Sequence, residues 1–213
     1  MYSRLHYISS GDTSDQQIDR IWQALDAGAD WIQLRGKQLD KKTFTQTAQQ
    51  VKKLQEQYNF IYIINDHPAI AAAVDANGVH LGLEDQDIAE ARKLLGAHKI
   101  IGGTANTITD VQQRIAEGCQ YIGLGPLRFT TSKAKLSPIL GFSGYESIFQ
   151  QLQEQPHPPI YAIGAVGPAD IGALRTIGLH GIAVSSLINE ATDKKHCIQH
   201  LQSSLHGTFT ATR

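Results

Sequence analysis

Short β-rich runs alternate along the chain with longer stretches of helical periodicity. Strands are predicted at 5–8, 31–34, 60–64, 79–81, 100–102, 121–124, 160–163 and 181–184. Several of these runs are almost wholly apolar, where a half-exposed strand would alternate. That is the pattern of a strand covered on both faces, as in a parallel sheet. Between them, Ile18, Ile21, Trp22 and Leu25 share one helical face, as do Phe44, Ala48, Val51 and Leu54. Ile108, Val111 and Ile115 predict a further helix, and Ile171, Leu174 and Ile177 a later one. Gly28, Gly118 and Gly178 fall where such helices should stop, each a few residues before a strand. Glycine there tolerates the left-handed conformation that ends a helix.

Eight strands in 213 residues leave roughly 27 residues per strand–helix unit, compatible with a single-domain α/β fold, a (β/α)8 TIM barrel. An open doubly wound sheet is the competitor, but it would gather its polar residues at one switch point. Here polar motifs follow at least six of the strands, and the strands are short, so the barrel is preferred. It is expected to occupy residues 1–206, with a loose Thr-rich tail over 207–213. The Pro-rich stretch 155–159 reads as a turn before strand seven, not as a domain boundary.

Composition narrows the function. With 19 Lys+Arg and 20 Asp+Glu the formal net charge is −1, which argues against nucleic acid as the partner and leaves room for local sites aimed at small anions. Cys119 and Cys197 are far apart with no CxxC spacing, so a disulfide framework is not expected and a cytoplasmic location is. The first ten residues hold no apolar run behind a basic start, so no signal peptide is expected. The longest apolar runs are too short for a membrane span.

In such a barrel the chemistry lies at the C-terminal ends of the strands. After strand two comes Gln33-Leu34-Arg35-Gly36-Lys37. Alternation puts Gln33, Arg35 and Lys37 on one side if the strand runs that far. The Arg fork and the Lys point charge suit a phosphate, though a solvated basic pair reads the same way. Asn65-Asp66 follows strand three, and Gly82-Leu83-Glu84-Asp85 follows strand four. Asp66 by itself reads as a cap for the helix beginning near Pro68. Taken with Asp85 and the basic motif beside it, the preferred reading is a carboxylate pair for Mg2+, which takes a few carboxylates plus phosphate oxygens. Gly102 and Gly103 would let the backbone approach a ligand, and Thr104 offers a hydroxyl. Thr107 is a candidate cap for the next helix.

A long polar loop after strand six carries Thr130, Thr131, Ser132 and Lys133, which suits a lid or a plain mobile loop. Small residues after strands seven and eight, Gly164 to Gly167 and Ser185-Ser186, suit a phosphate site of backbone N–H groups, although any tight turn also uses them. His196 and His200 are four apart, with Cys197 between them, but lack a nearby Glu and a third ligand, so a structural role is preferred to zinc. His80, inside strand four, reads as a core or supporting histidine.

Together these motifs resemble the thiamine-phosphate synthase family. "QLRGK", "IIND", "GVHLGLED", "GLGP" followed by a Thr/Ser-Lys loop, "AIGAV" and "GIAVSS" stand in the family's order from Gln33 to Ser186. The resemblance implies a Mg2+-dependent transferase. Its substrates would be a hydroxymethylpyrimidine pyrophosphate and a thiazole phosphate, and its products thiamine monophosphate and pyrophosphate. It further implies that Gln33, Arg35, Lys37, Asn65 and Lys133 contact the pyrimidine pyrophosphate, and that Asp66 and Asp85 bind Mg2+. Thr104 stands where the family usually has a Ser near the pyrimidine. Thr130, Thr131 and Ser132 match the thiazole-phosphate loop, and Ala165, Ser185 and Ser186 would cradle that phosphate. Arg35, Lys37, Thr104 and Lys133 are thereby implied as the catalytic set.

Four positions depart from the family's usual pattern: Gly36 for Glu, Thr104 for Ser, Ser132 for Thr and Ala165 for Gly. Three rival readings share much of this. A thiazole tautomerase of the same family would not need the pyrophosphate groups. A non-catalytic phosphate-ligand sensor would make no product. A sugar-phosphate isomerase or epimerase would need a carbonyl-adjacent acid/base pair, and the sequence offers none that fits better than the two Asp residues.

Overall fold

The structure, a computed structural model, describes residues 2–129, 138–153 and 155–207. Within them, eight parallel strands close into a barrel in sequence order, β1 pairing with both β2 and β8. They are β1 (Leu5–Ile8), β2 (Trp31–Leu34), β3 (Ile61–Asn65), β4 (Gly78–Leu81), β5 (Ile100–Ala105), β6 (Tyr121–Leu124), β7 (Ile160–Ala162) and β8 (Gly181–Val184). Helices α1 (Ser14–Asp26), α2 (Lys41–Lys53), α3 (Pro68–Ala73), α4 (Ile88–Leu95), α5 (Ile108–Ala116), α6 (Gly141–Leu152) and α7 (Ile171–Ile177) follow strands one to seven. After β8 comes a short α8 (Ser186–Asn189) and then α9 (Lys194–His206). Among the described residues no helix is long and apolar enough to cross a membrane.

Most strands are buried on both faces, which is why they read as continuous apolar runs. One face packs on the helices. Phe44, Ala48 and Val51 of α2, Ile21 and Leu25 of α1, and Ile198 and Leu201 of α9 all belong to that outer core. The other face fills the lumen with Trp31, Ile63, Tyr121, Tyr161 and Ala183. Trp31 meets Tyr121 and Tyr161 edge-on, with ring centroids 5.2 and 5.5 Å apart. The lumen is therefore a packed plug below the open end.

Several helix stops share one closure. Gly28, Gly118 and Gly178 have φ of 100°, 72° and 117°. Each donates its N–H three residues back, and the next residue donates five back: Ala29 to Ala24, Cys119 to Arg114 and Leu179 to Leu174. This is the Schellman closure. A fourth copy was not expected from the sequence, because Asp75 (φ 51°) replaces the glycine. Its N–H bonds to Ala72 and that of Ala76 to Ala71. Lys52 and Lys99 hold the Asp75 carboxylate.

Some boundaries move. β3 runs one residue later than predicted, because Trp31 pairs with Ile61, so Asn65 ends the strand instead of following it. β5 extends to Ala105, placing Thr104 within the ladder opposite Gly123. β7 stops at Ala162.

The paired glycines Gly102 and Gly103 do not leave room for a ligand. A Cβ on Gly102 would fall 2.1 Å from the Tyr121 ring, and one on Gly103 would fall 2.6 Å from Cδ of Arg114. Their space is taken by the protein's own side chains.

Candidate active site

The C-terminal ends of β2, β3 and β4 bring one charged group together. Arg35 and Lys37 lie just past β2, with Arg35 half-buried and Lys37 exposed. The Arg35 main chain is held on both sides. Its N–H donates to Oγ of Ser9 at 3.0 Å, and its carbonyl accepts from Nε2 of Gln17 at 3.0 Å. Ser9 and Gln17 are themselves fully buried and hydrogen-bonded to each other. Sequence reading missed both. The signal was a glutamine on the otherwise apolar inner face of α1.

Gly36, where the family usually has Glu, is packed against Leu39 and Phe44. A Cβ there would meet Leu39 Cδ1 at 2.8 Å.

Asp66 follows Asn65 with φ 64°, a left-handed conformation unusual for a non-glycine residue. Its N–H donates to the His80 carbonyl at 2.9 Å. It does not cap α3, whose N-cap is His67 with no side-chain hydrogen bond. The Asp66 carboxyl instead faces that of Asp85. Asp85 is held from below, with Oδ2 accepting the Gly82 N–H.

Burial, and then contact with Asp85, push the Asp66 carboxyl up to about 7; Arg35 and Lys37 pull the other way. Burial lowers both Arg35 and Lys37, Arg35 adds to the lowering at Lys37, and the two carboxylates oppose it. Two carboxylates this close share a proton or a cation. Among the described residues no three His, Cys, Asp or Glu side chains gather as a metal cage. A carboxylate pair is nonetheless enough for a hard cation that fills its other positions with water and phosphate oxygens.

Deeper, a buried polar chain crosses four strands. The Gln33 side chain faces the Tyr121 hydroxyl. Tyr121 Oη lies 3.0 Å from Nδ1 of His80, and His80 Nε2 lies 3.0 Å from Oγ1 of Thr104. Gln33 and Thr104 are thus brought together beneath the charged group, with His80 as the supporting residue between Tyr121 and Thr104. Asn65 is buried at the end of β3.

On the far side of the mouth, Gly164 and Ala165 both adopt positive φ, 88° and 50°. Gly164 is required: a Cβ would lie 2.4 Å from Cβ of Pro126. Ser185 precedes α8, and Ser186 is its first residue. Arg128, also missed in the sequence, reaches across from the β6 loop to Asp170 and the Ala165 carbonyl. Thr107 caps α5 in a capping box with Asp110. Thr130, Thr131, Ser132 and Lys133 lie outside the described residues.

Closed parallel topology, with ionisable groups collected past the C-terminal ends of several strands, defines a (β/α)8 barrel protein. Residues 5–188 match the sequence model of the family described as thiamine monophosphate synthase. The chain is 51% identical over 208 residues to a thiamine-phosphate synthase of Flavobacterium johnsoniae, covering 97% of this chain and 98% of that one. It is 46% identical over 206 residues to one from Flavobacterium psychrophilum, covering 96% and 100%. Its fold is similar to that of a thiamine phosphate pyrophosphorylase from Pyrococcus furiosus, with a TM-score of 0.81 at 25% identity over 95% of each chain. The chain belongs to the thiamine monophosphate synthase family.

Proposed function

We propose that this chain condenses 4-amino-2-methyl-5-hydroxymethylpyrimidine pyrophosphate with 4-methyl-5-(2-phosphooxyethyl)thiazole, giving thiamine monophosphate and pyrophosphate. The observation that carries the reading is the convergence of Arg35, Lys37, Asp66 and Asp85 at adjacent strand ends. A tautomerase acting on the thiazole phosphate alone has no use for that group.

The carboxylate pair fits a magnesium ion, and Asp66 and Asp85 would hold it. When bound, Mg2+ supplies charge neutralisation for a departing pyrophosphate. Arg35 and Lys37, and Lys133 by resemblance, bind the same phosphates. They stabilise the negative charge that builds up as the methylene C–O bond breaks and its electron pair leaves with pyrophosphate. The thiazole nitrogen lone pair then forms the new C–N bond. No side-chain nucleophile is required, and the protein's work is positioning and electrostatics.

The buried chain of Gln33, Tyr121, His80 and Thr104 presents fixed amide and hydroxyl groups to the pyrimidine beside Asn65. Ala165, Ser185 and Ser186, with Thr130, Thr131 and Ser132, receive the thiazole phosphate. The reaction is assigned to the cytoplasm, in keeping with two free cysteines, Cys119 and Cys197.

The test is to incubate purified protein with both substrates, with and without Mg2+, and to quantify thiamine monophosphate and pyrophosphate. Both products in equal amounts, dependent on Mg2+, are expected. A folded protein that binds the thiazole phosphate but makes neither product would overturn the proposal.

A further inference from the structure

Arg114 sits on α5, outside the barrel, and is 4% exposed. An arginine this deep remains charged and needs partners for every donor group. Nη1 lies 2.7 Å from Oε2 of Glu117, three residues along the chain. The other two nitrogens leave the helix. Nε donates to the Thr104 carbonyl near the end of β5 at 3.1 Å, and Nη2 to the Gly82 carbonyl past the end of β4 at 2.9 Å.

Both carbonyls belong to the site. The Gly82 N–H holds Asp85, and the Thr104 hydroxyl meets His80. Gly103 makes the crossing possible, since a Cβ there would stand 2.6 Å from Cδ and 2.9 Å from Nε of Arg114.

Docking α5 on the barrel does not call for this arrangement. Val111 of the same helix already packs in the outer core, and an apolar side chain of similar size would avoid desolvating an ion pair. What the planar guanidinium adds is a fixed spacing between two carbonyls on neighbouring strand ends. We infer that Arg114 is a positioning residue, which locks the Gly82–Asp85 turn to Thr104 and so sets where the Asp85 carboxylate stands beside Asp66. This rests on the metal role proposed for the two Asp residues.

The test is a Mn2+ titration followed by electron paramagnetic resonance, in the presence of inorganic pyrophosphate, with a thermal melt on each protein. Wild type and Asp85→Asn are compared first. If wild type binds no Mn2+, or Asp85→Asn binds it equally well, the metal reading fails and the inference falls with it. Arg114→Lys keeps the charge opposite Glu117 but cannot span both carbonyls; its Mn2+ dissociation constant is expected to rise roughly tenfold.

Arg92→Lys is the control for a merely structural effect. Arg92 ties the end of α4 to the Gly96 and Lys99 carbonyls, away from the mouth. It should lower the melting temperature and leave Mn2+ binding unchanged. Glu117→Gln, at a half-buried position, keeps the question open to measurement if Arg114→Lys is too unstable to titrate. Loosening the guanidinium should weaken Mn2+ binding about two- to threefold. Wild-type Mn2+ affinity in folded Arg114→Lys, or in Glu117→Gln if that is the protein that can be titrated, overturns the inference while leaving the metal reading intact.

Discussion

Arg128 and Asp170 meet in a two-pronged pair, Nη1 2.7 Å from Oδ2 and Nη2 2.6 Å from Oδ1. The same Nη1 donates to the Ala165 carbonyl, and Asp170 Oδ2 also accepts the Gly167 N–H. One pair thus ties the β6 loop to the turn after β7. The Arg128 hydrogen bonds hold the Asp170 carboxyl below the usual carboxylate range. A lowered acid contributes stability that is present above its ordinary value near 4 and lost as pH falls through its folded value. Urea midpoints of wild type and Arg128→Ala should therefore converge on acidification from pH 7 to 3. Parallel curves would show that the pair does not couple to folding.

Ala165 stands at φ 50° where a glycine would be unstrained. Relief of the left-handed strain outweighs the extra entropy that glycine gives the unfolded chain. Ala165→Gly should stabilise the protein by about 0.5–1 kcal/mol, seen as a raised urea midpoint at unchanged slope. A lower midpoint would show that the alanine makes contacts that offset its backbone.

Asp66 is raised towards neutrality, so the sign of its contribution is opposite to that of Asp170. Its share of stability is complete below the ordinary carboxylate value and is lost as pH rises through about 7. Asp66→Asn, which also tolerates the left-handed backbone, should gain on wild type in EDTA between pH 5 and 8. It should lose at least about a hundredfold in turnover with Mg2+ present. Equal midpoints at both pH values would count against a carboxyl held neutral by burial and by Asp85, and wild-type turnover against the assigned role.

Thr104 supplies a hydroxyl to His80 in a buried setting. Thr104→Ser keeps that hydroxyl and should stay within about threefold of wild-type kcat/KM. Thr104→Val has nearly the same shape but leaves His80 Nε2 without this partner, and kcat/KM should fall roughly tenfold or more. Equal kinetics in the two variants would show that the hydroxyl contributes nothing to turnover.

Much of the barrel was legible because both-sided burial writes a plain signal: β1, β2, β6 and β8 match their apolar runs residue for residue. The stop signals were legible where the left-handed residue is glycine and hidden at Asp75, where two lysines accompany an exception. At the site, Arg35, Lys37, Asp66 and Asp85 lie just past the strand ends as read. Their supports could not be read in advance. Ser9, just past β1, and Gln17 of α1 clamp Arg35, and Arg114 reaches β5 and the turn after β4 at once. Such contacts join distant positions and leave little local pattern beyond the glutamine on the apolar face of α1. Gly102 and Gly103 misled for the same reason, since what fills their space comes from β6 and α5.

The left-handed residues 28, 75, 118 and 178 each precede the first residue of a strand, at 31, 78, 121 and 181, by the same three positions. Inserting or deleting one residue in any of these links would turn inward-facing side chains such as Trp31 or Tyr121 towards the helices. These four links at the bottom of the barrel are therefore intolerant of length change. Connections at the mouth carry no such phase, so lineages can lengthen or shorten them while the frame stays fixed. Variation in chain length among relatives should therefore be rarer at these four links than at the connections of the mouth.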